Sequence, residues 1–327
     1  MSDQLVWARA HTNIALVKYW GKADAKLIIP QNSSLSLTLD HFYTDTGVQF
    51  DSQLSADQLF IDDVLAPVDE KVANCLAVVR QLAGIKTHAL IRSYNHVPNA
   101  AGLASSASAF AALATAACKA AGLTLSKAEL SMVARRGSGS ATRSIFGGFV
   151  EWHAGDSDTT SFAQPIEDPV QMDIKMITVV LNRHPKKISS RMGMQSSVNT
   201  SPYYAAWKQQ AAKDLVNIKA AILQANFNMV GHIAETNAMR MHALTLSADP
   251  SFTYFNADSL EAMHIVKSLR ENGTNCYFTM DAGPNVKIIC QSKDEATIIN
   301  ALYRHFTEDK IVVCKPGPGV TIIKDPR

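Results

Sequence analysis

Between Pro98 and Ala121 the chain reads PNAAGLASSASAFAALATAACKAA, a run in which almost nothing is bulky until Phe110. From Leu103 to about Ala121 every residue permits a helix, and Gly122 is placed to stop it. A helix that opens on such small side chains has two uses. It can approach another helix closely, or it can leave room over its first turn. The N–H groups there lack partners, and the helix dipole adds partial positive charge, so a phosphate is a natural occupant. Gly102 would allow close approach, Ala104 clearance, and Ser105 and Ser106 further donors or a Mg²⁺ ligand. The run is not G-x-x-x-x-G-K-[ST], and no lysine follows the glycine, so cations must come from elsewhere.

The surrounding chain is that of a folded α+β protein in two lobes. Its 327 residues exceed what a single core usually serves, and 47% are hydrophobic against 18% charged. NIALVKYW, SLSLTLD and TGVQF predict strands, with PQNSS as a loop. VDEKVANCLAVVRQLAG and Ser126–Arg136 predict helices, the latter opened by a serine answered three residues later by Glu129. HALIRSYNHVP, SIFGGFVEWHAG (kinked at its glycines) and DIKMITVVL predict further strands. The last of these begins a second lobe, which continues as one long helical stretch from Tyr203 to Leu244. A helix over SLEAMHIVKSLRENG follows, and then strand, helix and strand to the end.

A formal net charge of +2 gives no reason to expect nucleic acid or an acidic membrane as partner. No apolar run is long enough to cross a bilayer, and the N-terminus lacks the pattern of a signal peptide. Five scattered cysteines without a CxxC pair read as reduced thiols, and the expected location is the cytoplasm.

Four polar clusters stand out. Lys18 and Lys22 flank Tyr19 and Trp20, either as a solvated strand end or as cations beside an anion. ARRGSGSATRSIFGGF gathers Arg135, Arg136, Ser138, Gly139, Ser140 and Arg143 in a loop after a helix. A linker seldom concentrates arginine and serine so tightly, and the guanidinium fork suits phosphate or carboxylate. NRHPKKISSRMGMQSS, with Lys186, Lys187, Ser190 and Arg191, follows a strong strand as a basic loop, where a scaffold often presents ligand groups. Asp281 in TMDAGPNVK either caps a turn or, beside so many cations, orients a hydroxyl.

Taken together, NIALVKYWGK, PNAAGLASSASAF, RRGSGSATRSIFGGFVEW, KKISSRMGM and DAGPNV resemble the diphosphomevalonate decarboxylases of the GHMP kinase superfamily, over nearly the whole chain. The resemblance implies an N-terminal lobe over 1–172 with a left-handed β-α-β crossover, a C-terminal α/β lobe over 173–327, and a homodimer. It implies the reaction of ATP and mevalonate 5-diphosphate to ADP, phosphate, CO₂ and isopentenyl diphosphate. Pro98, Ala101, Gly102, Leu103, Ala104, Ser105 and Ser106 would then hold ATP, with Ser106 on Mg²⁺. Asp281, Lys18, Arg143 and either Lys186 or Lys187 would be catalytic. Tyr19, Lys22, Ser138, Gly139, Ser140, Ser190 and Arg191 would bind the substrate. A kinase or decarboxylase acting on less phosphorylated mevalonate is the nearest rival, and a silent anion-binding protein on the same fold is another.

Overall fold

The computed structural model describes residues 4–96, 105–181 and 187–327, the side chain of Ser105 excepted. Its first sheet is built on two long strands, β1 (Val6–Val17) and, after a small β2–β3 hairpin (Lys22–Asp24 and Ile29–Pro30), β4 (Ser34–Asp51). The two predicted strands SLSLTLD and TGVQF are therefore one continuous strand. Along the side opposite β1 its first half pairs with β8 and its second half with β7. β5 (Gln58–Ile61) and β6 (Val64–Ala66) extend the sheet beyond β7, and α1 (Glu70–Ala83) follows them. The helix starts at Asp69, whose side chain accepts from the Val72 N–H, and ends at Gly84 in the left-handed region, φ 66°.

β7 (His88–His96) leads toward α2 (Ser105–Ala120), which lies against β1, β4, α1 and α3 (Lys127–Gly137). Seven alanines of α2, from Ala107 to Ala120, are almost wholly buried. The body of the helix thus uses its small residues for close packing on strands as well as helices, while most of the start that the two readings concern lies outside the described residues. One serine is absorbed too: Ser108 Oγ is 2.8 Å from Thr44 Oγ1 within the sheet contact. The predicted capping box of α3 is present, Ser126 and Glu129 bonding each other's backbone N–H.

The segment SIFGGFVEWHAG departs from the expected kinked strand. Gly139–Ile145 forms a 3₁₀ turn, and only Phe149–Trp152, β8, is strand, followed by β9 (Ala163–Glu167). The reason lies at Gly147 and Gly148, against which the turn KPGPGV packs. A Cβ on Gly147 would come within 2.8 Å of the Gly319 backbone nitrogen.

β10 (Lys175–Val179) opens the second sheet. α4 (Ser190–Thr200) replaces the expected basic loop; Ser189 caps it, and its Gly193 lies close to Tyr254 and Phe252. The long helical stretch divides into α5 (Tyr204–Leu223) and α6 (Phe227–Leu246). Ala225 has φ 50°, and Asn226 caps the second helix by accepting from the Met229 N–H. α7 (Ala257–Glu271), β11 (Cys276–Met280), β12 (Val286–Cys290), α8 (Glu295–Leu302) and β13 (Ile311–Cys314) complete the lobe. Its sheet is antiparallel, in the order β11-β12-β10-β13. The last strand, β14 (Thr321–Ile323), returns to pair with β1 in the first sheet.

A shared apolar cluster joins the lobes: Ile14, Leu35, Leu37 and Phe149 pack with Met176, Ile218, Val230 and Ile289. Burying each such side chain contributes about 1.5–3 kcal/mol. The seam between the sheets is therefore a fixed place, and the polar clusters meet along it.

Candidate active site

Asp281 stands at the end of β11, in the tight connection to β12, where the sequence reading put it. Lys18 is the first residue beyond β1. Its Nζ is 2.8 Å from Asp281 Oδ1 and also donates to the Ala15 carbonyl at 2.7 Å. Lys287, fully buried on β12, brings its Nζ within 3.5 Å of Asp281 Oδ2. Asp281 itself keeps 21% of its side chain accessible, with Oδ2 buried and Oδ1 bonded by Lys18.

The electrostatics follow from this enclosure. Burial alone would raise the Asp281 carboxyl, but Lys18, Lys287 and Arg143 outweigh it and hold it well below the usual carboxylate range. Burial pushes the Lys18 ammonium down to about 8 against the pull of Asp281. Burial likewise lowers Lys287, and it brings Arg143 down to about 10. Three cationic side chains thus share one carboxylate in a poorly solvated place, an excess that an entering anion would relieve.

Arg143 is positioned by the 3₁₀ turn that the sequence reading took for a loop. Its Nε donates to Asn13 Oδ1 at 3.2 Å and its Nη1 to Ser34 Oγ at 2.6 Å. Asn13 Nδ2 in turn donates to the Ser140 carbonyl and to Ser144 Oγ, which ties β1 to the turn. The guanidinium carbon lies 6.0 Å from the Trp152 ring, and the edge of Tyr19 meets the same indole at 4.8 Å between centroids. A side chain on Gly139 would run into Trp152 and Tyr19, so glycine is needed there for packing. Among the described residues the buried Tyr19 hydroxyl has no hydrogen-bond partner, an orphan that a polar ligand group would satisfy.

Beside this turn lies the start of α2. Ser138 Oγ donates to Ser106 Oγ at 3.3 Å and lies 3.2 Å from Ser140 Oγ, so three of the predicted hydroxyls converge. Pro98, Ala101, Gly102, Leu103, Ala104 and Lys186 lie outside the described residues, as does the side chain of Ser105. Among the described residues no group of three His, Cys, Asp or Glu side chains could hold a metal. A hydroxyl donor set of this kind suits a magnesium ion carried mainly by phosphate oxygens.

The remaining cations split. Lys22 is half-buried, lowered first by burial and then by Arg191 and Lys71, with Glu70 opposing. Arg191 and Ser190 open α4, and Arg191 reaches Glu70 at 3.5 Å across an exposed surface. Lys187 is exposed. Arg135 leaves the predicted anion cluster altogether. It is fully buried and spends its guanidinium on the Leu27 and Ser161 carbonyls and on Asp158, which also draws Arg136.

The family model for the diphosphomevalonate decarboxylase-like N-terminal domain matches residues 10–163, and that for the mevalonate 5-diphosphate decarboxylase C-terminal domain matches 176–317. The chain belongs to the diphosphomevalonate decarboxylase family. A diphosphomevalonate decarboxylase of Candida albicans is 34% identical over 317 residues, covering 91% of this chain and 87% of the relative. The crystal structure of mevalonate diphosphate decarboxylase from Staphylococcus aureus superposes with TM-score 0.94 at 48% identity, covering 98% of each chain. A structure of MDDEF in complex with MVAPP, AMPPCP and magnesium superposes with TM-score 0.94 at 47% identity, covering 98% of this chain and 99% of that one.

For this decarboxylase-family chain, several residues around the carboxylate escaped the sequence reading. Lys287 sits inside TMDAGPNVK and reads as an ordinary strand lysine, because nothing local says that its side chain points inward. Asn13 and Ser34 lie within strand-like runs, and only their contacts with Arg143 single them out. His242 on α6 is buried near Lys18 and Asp281, and burial holds it neutral, pushed down to about 3. It had no sequence signal beyond a histidine on a helix.

Proposed function

We infer that this chain carries out the reaction of its family, the ATP-dependent conversion of mevalonate 5-diphosphate to isopentenyl diphosphate, ADP, phosphate and CO₂, and we propose the residues that do so. The observation that carries the reading is the carboxylate–cation constellation at the seam: Asp281 ionised, partly accessible, and ringed by Lys18, Lys287 and Arg143.

The tertiary hydroxyl of the substrate is a poor leaving group, and transfer of the γ-phosphoryl group of ATP makes it a good one. Asp281 accepts the hydrogen bond of that hydroxyl. Held far below the usual range it is a weak base, so its first task is orientation; it takes the proton late, as the oxygen bonds to phosphorus. Lys18 keeps the carboxylate charged. Lys186 or Lys187 meets the transferring phosphoryl group. Once the ester has formed, the C–O bond to phosphate breaks while the electrons of the C–C bond to the carboxylate become the new C=C bond, releasing CO₂. Arg143, braced by Asn13 and Ser34, aligns the departing carboxylate. Tyr19, Lys22, Ser138, Gly139, Ser140, Ser190 and Arg191 hold the diphosphate and the carbon chain. Arg191 and Lys22 are mutually repelled, which a shared phosphate would offset.

The nucleotide phosphates belong over the start of α2, with Pro98, Ala101, Gly102, Leu103, Ala104, Ser105 and Ser106. Magnesium, bound there with the nucleotide and held by Ser106, would neutralise phosphate charge. The two lobes meet near residue 173, a division supported by the break between the two family matches.

The enzyme works as a homodimer in the cytoplasm. Exposed Val216, Leu223 and Met229 on α5 and α6 support the dimer, and five free, buried cysteines support a reducing compartment. Among the described residues no helix is long and apolar enough to cross a membrane. Sedimentation tests the dimer.

CO₂ release with ATP and Mg²⁺ is to be measured with mevalonate, its 5-phosphate and its 5-diphosphate in parallel. Release with the diphosphate alone supports the reaction and the work of the cationic groups. Release with a less phosphorylated substrate reassigns Lys22 and Arg191. ADP formation without CO₂ leaves a kinase.

A further inference from the structure

Lys18 lies just past the end of β1, so strand pairing no longer fixes its peptide. Two buried amides do so instead. Asn237 Oδ1 accepts from the Lys18 N–H at 2.8 Å, and Asn32 Nδ2 donates to the Lys18 carbonyl at 2.8 Å. Asn237, on α6, is fully buried, and the other end of its amide donates to Asp214 Oδ2 at 2.8 Å. Asp214, on α5, is itself 4% exposed. It also accepts from Gln210 Nε2 at 2.7 Å and from Arg240 Nη1 at 3.0 and 3.1 Å.

A carboxylate can only accept hydrogen bonds, so Asp214 fixes which way the Asn237 amide faces: nitrogen toward itself, oxygen toward Lys18. We propose that Asn237, oriented by Asp214, is a positioning residue for the Lys18–Asp281 pair. The inference rests on the reading of that pair given above. A network serving only the α5–α6 contact would close on those two helices. This one ends on the backbone of the residue whose ammonium holds the carboxylate, across the lobe seam. A shift of that peptide carries Lys18 Nζ with it, and small misplacements at a reacting centre are costly in rate.

The test compares N237A, D214N and the exchanged pair D214N/N237D, with K18M and D281A beside them, in the full-length protein. kcat, the KM of each substrate and the pH profile of kcat are measured. The exchange keeps an acceptor facing Lys18 and a donor facing that acceptor. Expected are a fall of about tenfold in kcat for N237A and D214N, KM values within about threefold, and recovery of most of kcat in the exchanged pair. The acid limb of the profile moves to higher pH in both single variants, because a displaced Lys18 holds Asp281 less firmly; Lys287, Arg143 and His242, which also face Asp281, stay unchanged. A kcat within about twofold of the parent in N237A overturns the proposal, as does a loss with an unmoved profile and no recovery on exchange. Should D214N fail to fold, N237A, an alanine in a helix, decides alone. Turnover by K18M or D281A at the parent's rate would instead sink the reading of the pair itself.

Discussion

Lys18 Nζ and Asp281 Oδ1 lie 2.8 Å apart although 263 residues separate them in the chain. One comes from the end of the first sheet's opening strand and the other from a hairpin of the second sheet. Their contact defines the place where the two lobes share chemistry as well as apolar packing.

Replacing Asp281 by alanine removes the hydroxyl's acceptor and takes the neutralising carboxylate from two buried ammonium groups, each still bonded to a backbone carbonyl. Turnover should vanish while nucleotide binding, measured by calorimetry, stays within a few-fold of the parent. Breaking a buried ion pair costs about 3–5 kcal/mol, and the partial exposure of Asp281 reduces this. The double variant K18M/D281A should regain part of the lost stability, which thermal unfolding of the double-mutant cycle measures.

The pH dependence has a definite sign. Lys18 is pushed down to about 8 from its ordinary 10.5, so its positive charge fades as pH rises through about 8. kcat should fall on that alkaline side. K18R, which stays charged, should move the fall to higher pH even at a lower rate. For stability, Asp281 has a folded value below its ordinary 3.8, so its contribution is present above that pH and lost as pH falls below it. A profile flat between pH 7 and 10 would reject the assigned role of Lys18.

Lys287 invites the opposite separation. A fully buried ammonium is expensive, and because Asp281 keeps Lys18 as its partner, replacing Lys287 leaves no buried charge unpaired. K287M should unfold within about 1 kcal/mol of the parent, or later, while kcat drops about tenfold. Equal kcat values would show that Lys18 suffices.

Arg143 holds Asn13 and Ser34 through two different nitrogens, which a lysine cannot do. R143K should keep the fold and lose roughly 10²-fold in kcat, with a smaller effect on the KM of ATP. A KM effect without a kcat effect would reassign Arg143 to ground-state binding.

Gly21 has φ 104°, and a Cβ there would run into the Tyr204 hydroxyl and Val198. Tyr204 donates to the Trp20 carbonyl at 2.6 Å, so the turn carrying Tyr19 and Lys22 is seated on the start of α5. G21A should cost about 2–4 kcal/mol, combining backbone strain with overpacking. It should also weaken diphosphate binding, read from the KM of mevalonate 5-diphosphate.

The sequence by itself determined the α+β class, most of the helices and the motifs carrying Lys18, Ser106, Ser138, Arg143 and Asp281. These were legible because caps, periodicity and glycine stops act within a few residues of each other. Ser126 with Glu129 and Gly84 at the end of α1 are such local devices. Tertiary structure decided what depends on distant partners. The glycines at 147 and 148 shape a turn because KPGPGV packs on them, and α4 forms where few apolar residues announce a helix. Arg135 and Arg143 look alike in the sequence, yet one is consumed by Leu27, Asp158 and Ser161 while the other faces the seam. Lys287 is a plain strand lysine until β12 lies between β10 and β11 and turns its side chain toward Asp281. Burial and charge are properties of neighbours, and the neighbours of these residues are assembled only when the two lobes close on their shared core.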